Sequence, residues 1–465
     1  MRKIGLLNAI AMTKKAEKMT EEQRIALQQR RLKSLIAYVK KNSPYFADAY
    51  KDFDENTPLS SLPITTKEEM MAHFDEWMTD RSVTKESVDR FMSDDSNINK
   101  KLNGKYMVFT TAGSTGNPCI ALYDSSAANA FFAIMYRRGF ASQKDMKMFA
   151  KSGYKAMTLF ADNGFYLGCG YVQHTLKKLP WLKDRIKTCD IHRPISEIVD
   201  ELNQFQPYLI ISYPTELELL ADEQRAGRLH IHPKVLTTSG EHLSQQVRQK
   251  LSEAFNCDVQ STNSCTEGGT MACECPEHHL HINDDWVILE AVDHNNQPVP
   301  LGTPSSKVLM TNLSNRVCPF IRFEITDRLA VHNEPCKCGN SMPWVTLEGR
   351  TDDILTFENG VKVIPISLHV ILKKIREIKR FQLIQHEGNR LELRIVAEDR
   401  QAAFRKAKHD IESYLASNGI TAVMYLSDKL PEAHPVSGKF KQVITINSNW
   451  YTILDEQMRL SRRAK

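Results

Sequence analysis

The chain contains no uninterrupted apolar run of the ~18 residues that a membrane-spanning helix requires. It also lacks charge of one sign. Its 61 basic residues meet 56 acidic ones for a net charge of +5, without the basic excess of a dedicated nucleic-acid binder. Met1-Arg-Lys and the apolar stretch Ile4 to Met12 have the outline of an export signal. However, Lys14, Lys15 and Lys18 stand where a small-residue cleavage site would fall, so a surface helix and a cytoplasmic protein are expected. Ten cysteines in 465 residues do not make a disulfide scaffold, and four of them form two Cys-x-Cys pairs that suit a metal better. Internal repeats and low-complexity tracts are absent. Hydrophobic content of 42% with 25% charged residues is that of an ordinary globular protein, long enough for two or three domains.

Residues 14–52 carry Ile25, Leu27, Leu32, Leu35, Ile36 and Val39 at helical spacing, which predicts one or two surface helices stopped by Asn42-Ser43-Pro44. Short apolar runs then alternate with helical patterns: Tyr106 to Thr110, Met148 to Phe149, Tyr208 to Ser212, Val235 to Thr237 and Val259. Such alternation predicts parallel strands with crossover helices. From Trp286 to Val331 the runs Trp286-Val-Ile-Leu-Glu-Ala-Val, Lys307-Val-Leu-Met-Thr and Phe320-Ile-Arg-Phe predict an antiparallel subdomain. The tail reads helix (366–375), strand (381–386), strand (390–397), helix (402–415), strand (423–427), an α+β unit with an antiparallel sheet. The expected fold is a large α/β N-terminal domain, 1–349, followed by a small α+β domain, 350–465.

The first chemical motif is Thr110-Thr-Ala-Gly-Ser-Thr-Gly-Asn-Pro118, directly after a strand-like run. Gly113 and Gly116 allow a tight turn that presents N–H groups to an anion, and the hydroxyls of Thr111, Ser114 and Thr115 add donors. It is not a Walker loop, because no Gly-Lys-Ser/Thr follows at that spacing. The string resembles the phosphate loop of adenylate-forming enzymes. Three further strings follow in that superfamily's order: Asn263-Ser-Cys-Thr-Glu267, Phe323-Glu-Ile-Thr-Asp327 and Gly349-Arg-Thr-Asp-Asp353. Near the end, Pro435-Val-Ser-Gly-Lys-Phe-Lys441 resembles its catalytic-lysine string. Ile211-Ser-Tyr-Pro-Thr215, Thr238-Ser-Gly-Glu241 and Gly360-Val-Lys-Val-Ile-Pro365 are similar to the phenylacetate–CoA ligase branch, which also holds adenylyltransferases and amide-forming ligases.

That resemblance implies a role for each matched residue. Thr266 would contact the nucleotide, Glu267 would hold Mg²⁺, Gly240 and Glu241 would lie beside the adenine, and Asp327 and Arg350 would bind the ribose. Asp352 would be the hinge of a mobile C-terminal lid, and Lys439 would bridge carboxylate and α-phosphate. The implied substrates are ATP, an organic acid and CoA, with no nucleic-acid or membrane partner, and a homodimer is left open. Three departures stand out. Asn117 replaces a frequent lysine, Asn263-Ser264 replaces an aromatic–glycine pair, and Asn359 replaces a frequent arginine. Without that ring the adenine forgoes a stacking contact worth ~1–3 kcal/mol. Three acceptor readings stay open: CoA, an amine or cofactor, or none in a chain that has lost its chemistry.

The second motif is Cys273-Glu-Cys275-Pro-Glu-His-His-Leu-His281 with Cys336-Lys-Cys338-Gly339. Thiolate and imidazole are the ligands zinc prefers, and a closed structural site needs four. The resemblance selects Cys275, His281, Cys336 and Cys338, with Cys273, His278 and His279 as spare candidates.

Overall fold

The computed structural model describes residues 4–111, 118–162, 164–350, 354–363, 365–433 and 440–446. Contacts divide the described residues into two units, 4–111 with 119–348 and Pro118 with those from Gly349 onward.

In the first unit the described residues form a nine-stranded sheet. Five parallel strands lie side by side in the order Ile186–Asp190, Ala156–Phe160, Leu209–Ser212, Val235–Ser239, Asp258–Cys265. The crossover helices Leu167–Lys178, Ile195–Phe205, Pro214–Arg225 and Gln245–Phe255 connect them. Beyond Asp258–Cys265 the sheet turns antiparallel through Gly269–Glu274, Leu280–Ile282 and Trp344–Arg350, with Asp327–His332 at the edge. The predicted antiparallel subdomain is present as Val287–Val292, Lys307–Asn312 and Phe323–Ile325. Met107–Thr110, expected among the parallel strands, instead pairs antiparallel with Ile120–Tyr123 in a separate short hairpin on either side of the glycine-rich string.

Two further expectations are corrected. Met148 and Phe149 are not strand. They lie in the helix Gln143–Lys151, which Ser142 caps, and the strand begins at Ala156. Two adjacent apolar residues cannot separate a buried helix face from a short strand. The N-terminal helices are not merely superficial either. Glu21–Asn42 buries Leu27, Leu32, Leu35, Ile36 and Val39, and with them Arg24 and Arg31. Arg24 is satisfied by Asp284 (2.9 Å) and by the carbonyl of Ser341 (2.6 Å), while Arg31 lies 3.7 Å over the Trp286 ring. Buried charge of this kind needs partners distant in sequence, which no local pattern reveals. The stop at Asn42-Ser43-Pro44 is as expected: the helix ends at Asn42 and Ser43 caps Pro44–Ala49.

The second unit packs the helices Pro365–Lys374 and Arg400–Ser417 on one face of a four-stranded sheet. Its predicted antiparallel sheet is in fact mixed. Arg380–His386 and Arg390–Val396 are antiparallel, but Val423–Leu426 and Val443–Ile444 add to their outer edges in parallel. Val443–Ile444 is a strand that sequence pattern does not predict, because two residues carry no periodicity.

Candidate functional site

Asp258–Cys265 and Gly269–Glu274 form a hairpin whose tight turn is Thr266-Glu267-Gly268, with a register shift between Asn263 and Ser264. Irregular pairing of this kind re-aims the side chains beside it. The turn is held from two other elements. Tyr123 Oη donates to the carbonyl of Thr266 (2.9 Å), and Asn312 Nδ2 donates to the carbonyl of Glu267 (3.0 Å). Glu267 is thereby fixed with 8% of its surface exposed.

Around Glu267 the structure gathers two thiols, the buried Cys119 and the partly buried Cys265. Burial, and then the Glu267 charge, push the Cys119 and Cys265 thiols well above their usual range, and Cys119 also hydrogen-bonds to Glu267. Cys265 feels the carboxylate of Asp327 as well. Cys119 in turn is tied to Thr111, whose N–H donates to the Cys119 carbonyl (3.0 Å) and whose Oγ1 accepts from Cys119 N–H (2.9 Å). The described ends of the glycine-rich string, the Glu267 turn and Asp327 therefore share one neighbourhood. Gly113, Ser114, Thr115 and Gly116 themselves lie outside the described residues, as do Asp352 and Lys439. Arg350 ends a strand, and its side chain is likewise outside them.

Gly240 and Glu241 follow Val235–Ser239 at the carboxyl edge of the parallel sheet, where open α/β sheets bind ligands. Gly240 has φ +80°, a conformation side chains resist. Ser239 pairs with Thr262, which sets this loop beside the Asn263 irregularity. The Glu241 carboxylate accepts from Thr215 Oγ1 (2.8 Å) and from its N–H (3.3 Å), joining the Thr238-Ser-Gly-Glu241 loop to the Ile211-Ser-Tyr-Pro-Thr215 loop. No sequence pattern marks Tyr123, Asn312 or Cys119 as supports, because each acts on a partner remote in the chain.

The cysteine–histidine cluster is a second centre. The ligand atoms of Cys275, His281, Cys336 and Cys338 all lie within 4.8 Å of one another. Cys275 Sγ is 3.7 Å from Cys336 Sγ, and Cys338 Sγ is 3.5 Å from His281 Nε2. A tetrahedron with ~2.3 Å zinc–sulfur bonds has sulfur–sulfur edges of about 3.8 Å, which the Cys275–Cys336 pair matches, so the donor set suits zinc in kind and in spacing. His281 Nδ1 is bonded to the carbonyl of Met342 (2.7 Å), which leaves Nε2 facing the sulfurs. Burial pushes the Cys338 thiol up to about 12, a shift that a coordinated cation would reverse. The spare candidates are sorted by geometry. Cys273 packs with Ala130, Ile134 and Trp286, and His278 turns toward Arg248 (3.0 Å). His279 stacks on Trp344 at 3.9 Å with Nδ1 3.3 Å from Cys336 Sγ, a neighbour of the cluster.

No family model matches the chain. It is 24% identical to a phenylacetate–coenzyme A ligase of Thermus thermophilus over 85% of this chain and 86% of that one. It is 21% identical to a phenylacetate–coenzyme A ligase of Aromatoleum evansii over 92% and 96%. Among solved structures it resembles a 2-hydroxyisobutyryl-CoA ligase in complex with an acyl-AMP, with a TM-score of 0.69 and 19% identity over 96% of this chain and 94% of that one. By sequence and by fold, the chain is phenylacetate–CoA ligase-like, with the architecture of the adenylate-forming CoA ligases.

Proposed function

We propose that the chain is an ATP-dependent, AMP-forming acid–CoA ligase whose substrate is an organic carboxylate, with aryl acids among the candidates. The observation that carries this reading is the convergence of the Thr111–Cys119 hairpin end, the buried Glu267 turn and Asp327 in one neighbourhood. In the first half-reaction a carboxylate oxygen attacks the α-phosphorus of ATP, and pyrophosphate leaves. Such chemistry rests on alignment and charge neutralisation at the phosphates. Gly113, Ser114, Thr115 and Gly116 would hold the leaving phosphates, and Thr266 the nucleotide. Glu267, a carboxylate suited to a hard cation, would hold Mg²⁺, which neutralises phosphate charge when bound. Asp327 and Arg350 would bind the ribose, with Gly240 and Glu241 beside the adenine. Lys439 would place its ammonium between the carboxylate and the α-phosphate, where negative charge builds. Asp352 would serve as the pivot for the second half-reaction, in which the CoA thiol takes the acyl group and AMP leaves.

CoA is favoured over an amine or cofactor acceptor because the relatives above are named as CoA ligases. Zinc on Cys275, His281, Cys336 and Cys338 would be structural, since four protein ligands leave no open position. Free cysteines, three of them gathered in that cluster, suit a reducing compartment such as the cytoplasm. No helix among the described residues is long and apolar enough to cross a membrane.

The deciding experiment measures AMP release from ATP with phenylacetate, benzoate and short aliphatic acids, with and without CoA. Release that requires both an acid and CoA is expected. Acid-dependent pyrophosphate exchange with AMP release that CoA does not stimulate would reassign the acceptor, and no exchange with any acid would end the enzymatic reading. Lys439→Ala is expected to cut exchange while sparing thioester formation from a supplied acyl-adenylate.

A further inference from the structure

In the second unit, Gln382 and Arg394 face one another across the antiparallel pair of strands. Alternation puts Phe381, Leu383, Leu391, Leu393 and Ile395 into the core beneath the helices. Gln382 and Arg394 point to the opposite face, yet both are fully buried, at 0% exposed. A buried amide without partners is costly, so the partners it has are informative. Gln382 Nε2 donates to the carbonyl of Glu432 (2.9 Å) and to the carbonyl of Lys441 (3.1 Å), and its Oε1 accepts from the N–H of Glu432 (3.3 Å). Both amide donors are used, and every bond goes to main chain. The adjacent bond from Leu383 N–H to the carbonyl of Gln442 (2.8 Å) continues the same attachment. Arg394 adds a side-chain contact to Glu432 at 3.5 Å, and Arg380 lies 4.0 Å over the Phe440 ring.

One side chain thus ties together the two ends of the segment 433–440, and Lys439 stands two residues before Lys441. We infer that Gln382 is a positioning residue for the adenylation half-reaction: it holds the main chain of Glu432 and Lys441, which flank Lys439 in sequence, with Arg394 as its support. This rests on the reading of Lys439 given above. The physical requirement is clear, because a flexible lysine acts on a transferring phosphoryl group only if its backbone is placed in advance. A displacement of about 1 Å at such a site can cost on the order of 10²-fold in rate.

The test uses the full chain and the acid that supports exchange in the unaltered protein. Gln382→Met keeps the volume and removes all three bonds. Pyrophosphate exchange is expected to fall about 10- to 100-fold in kcat with KM for ATP within about 2-fold, because main-chain placement rather than nucleotide affinity is lost. CoA-dependent thioester formation from a supplied acyl-adenylate is expected to stay within about 2-fold, which also certifies folding. Combining Gln382→Met with Lys439→Ala is expected to be no slower in exchange than Lys439→Ala alone, since both act through one group. Unchanged exchange in Gln382→Met overturns the inference, and so does an equal fall in both half-reactions. If Gln382→Met does not fold, Gln382→Glu, which keeps an acceptor and loses both donors, takes its place. The same two assays then apply, and the same two results overturn the inference. Failure of the underlying reading is separately visible: exchange that survives Lys439→Ala removes the role of Lys439, whatever Gln382→Met does.

Discussion

Glu267 shares its surroundings with two thiols, the buried Cys119 and the partly buried Cys265. Cys119 and Cys265 remain protonated there, because burial and the neighbouring carboxylate both oppose a second negative charge. Of the three groups, the carboxylate is therefore the anion left to meet a cation. Glu267→Gln is expected to lower acid-dependent pyrophosphate exchange by about 10²- to 10³-fold, the usual scale for removing one electrostatic support. It is also expected to raise the Mg²⁺ concentration needed for half-maximal rate, which a magnesium titration reads. A variant with an unchanged magnesium dependence would move the metal elsewhere. Glu267 is legible in the sequence through its neighbours in the string. Its supports Tyr123 and Asn312 are not, because a hydrogen bond to a carbonyl more than forty residues away leaves no trace in spacing.

Among the elements, the helix Glu21–Asn42 shows how local and distant forces combine. Its start is written locally: Thr20 accepts from Gln23 N–H (3.3 Å) while the Gln23 side chain accepts from Thr20 N–H (3.2 Å), a reciprocal cap. Thr20→Ala is expected to cost ~1 kcal/mol, read as a lower denaturant midpoint. Its buried face is not local, since Arg24 reaches the carbonyl of Ser341 beside the Cys336–Cys338 knuckle. That knuckle and the Cys275–His281 loop are joined by the cluster. Structural zinc can contribute on the order of 10 kcal/mol to folding, so Cys336→Ser is expected to lose one bound zinc per chain and to lower Tm strongly. Elemental analysis of the purified chain with a thermal melt checks both, and an unaltered chain without stoichiometric metal would leave the cluster as packed thiols.

On the scale of the whole molecule, the second unit carries a stability term that depends on pH. Burial alone would raise the Glu392 carboxyl, but hydrogen bonds from His386 (2.9 Å) and Arg394 (2.7 Å) override it and hold the group at about 2. A folded value below the unfolded one means stability that is present above about 4.5 and lost as pH falls toward 2. The difference corresponds to roughly 3 kcal/mol. The advantage of the unaltered chain over Glu392→Gln in urea denaturation is expected to shrink across that window, and a constant gap would show that Glu392 does not titrate there. The sequence by itself determined the order of most strands and helices, the ends of several helices and the strings whose residues lie within a few positions of one another. It did so because periodicity and capping are short-range. Only the tertiary structure decided that Met148 and Phe149 belong to a helix, that the small sheet is mixed, that Arg24 and Arg31 are buried, and that Gln382 bonds the main chain of both Glu432 and Lys441. Those outcomes depend on burying charge and polar groups against partners far along the chain, and that energy exists only once the chain has folded.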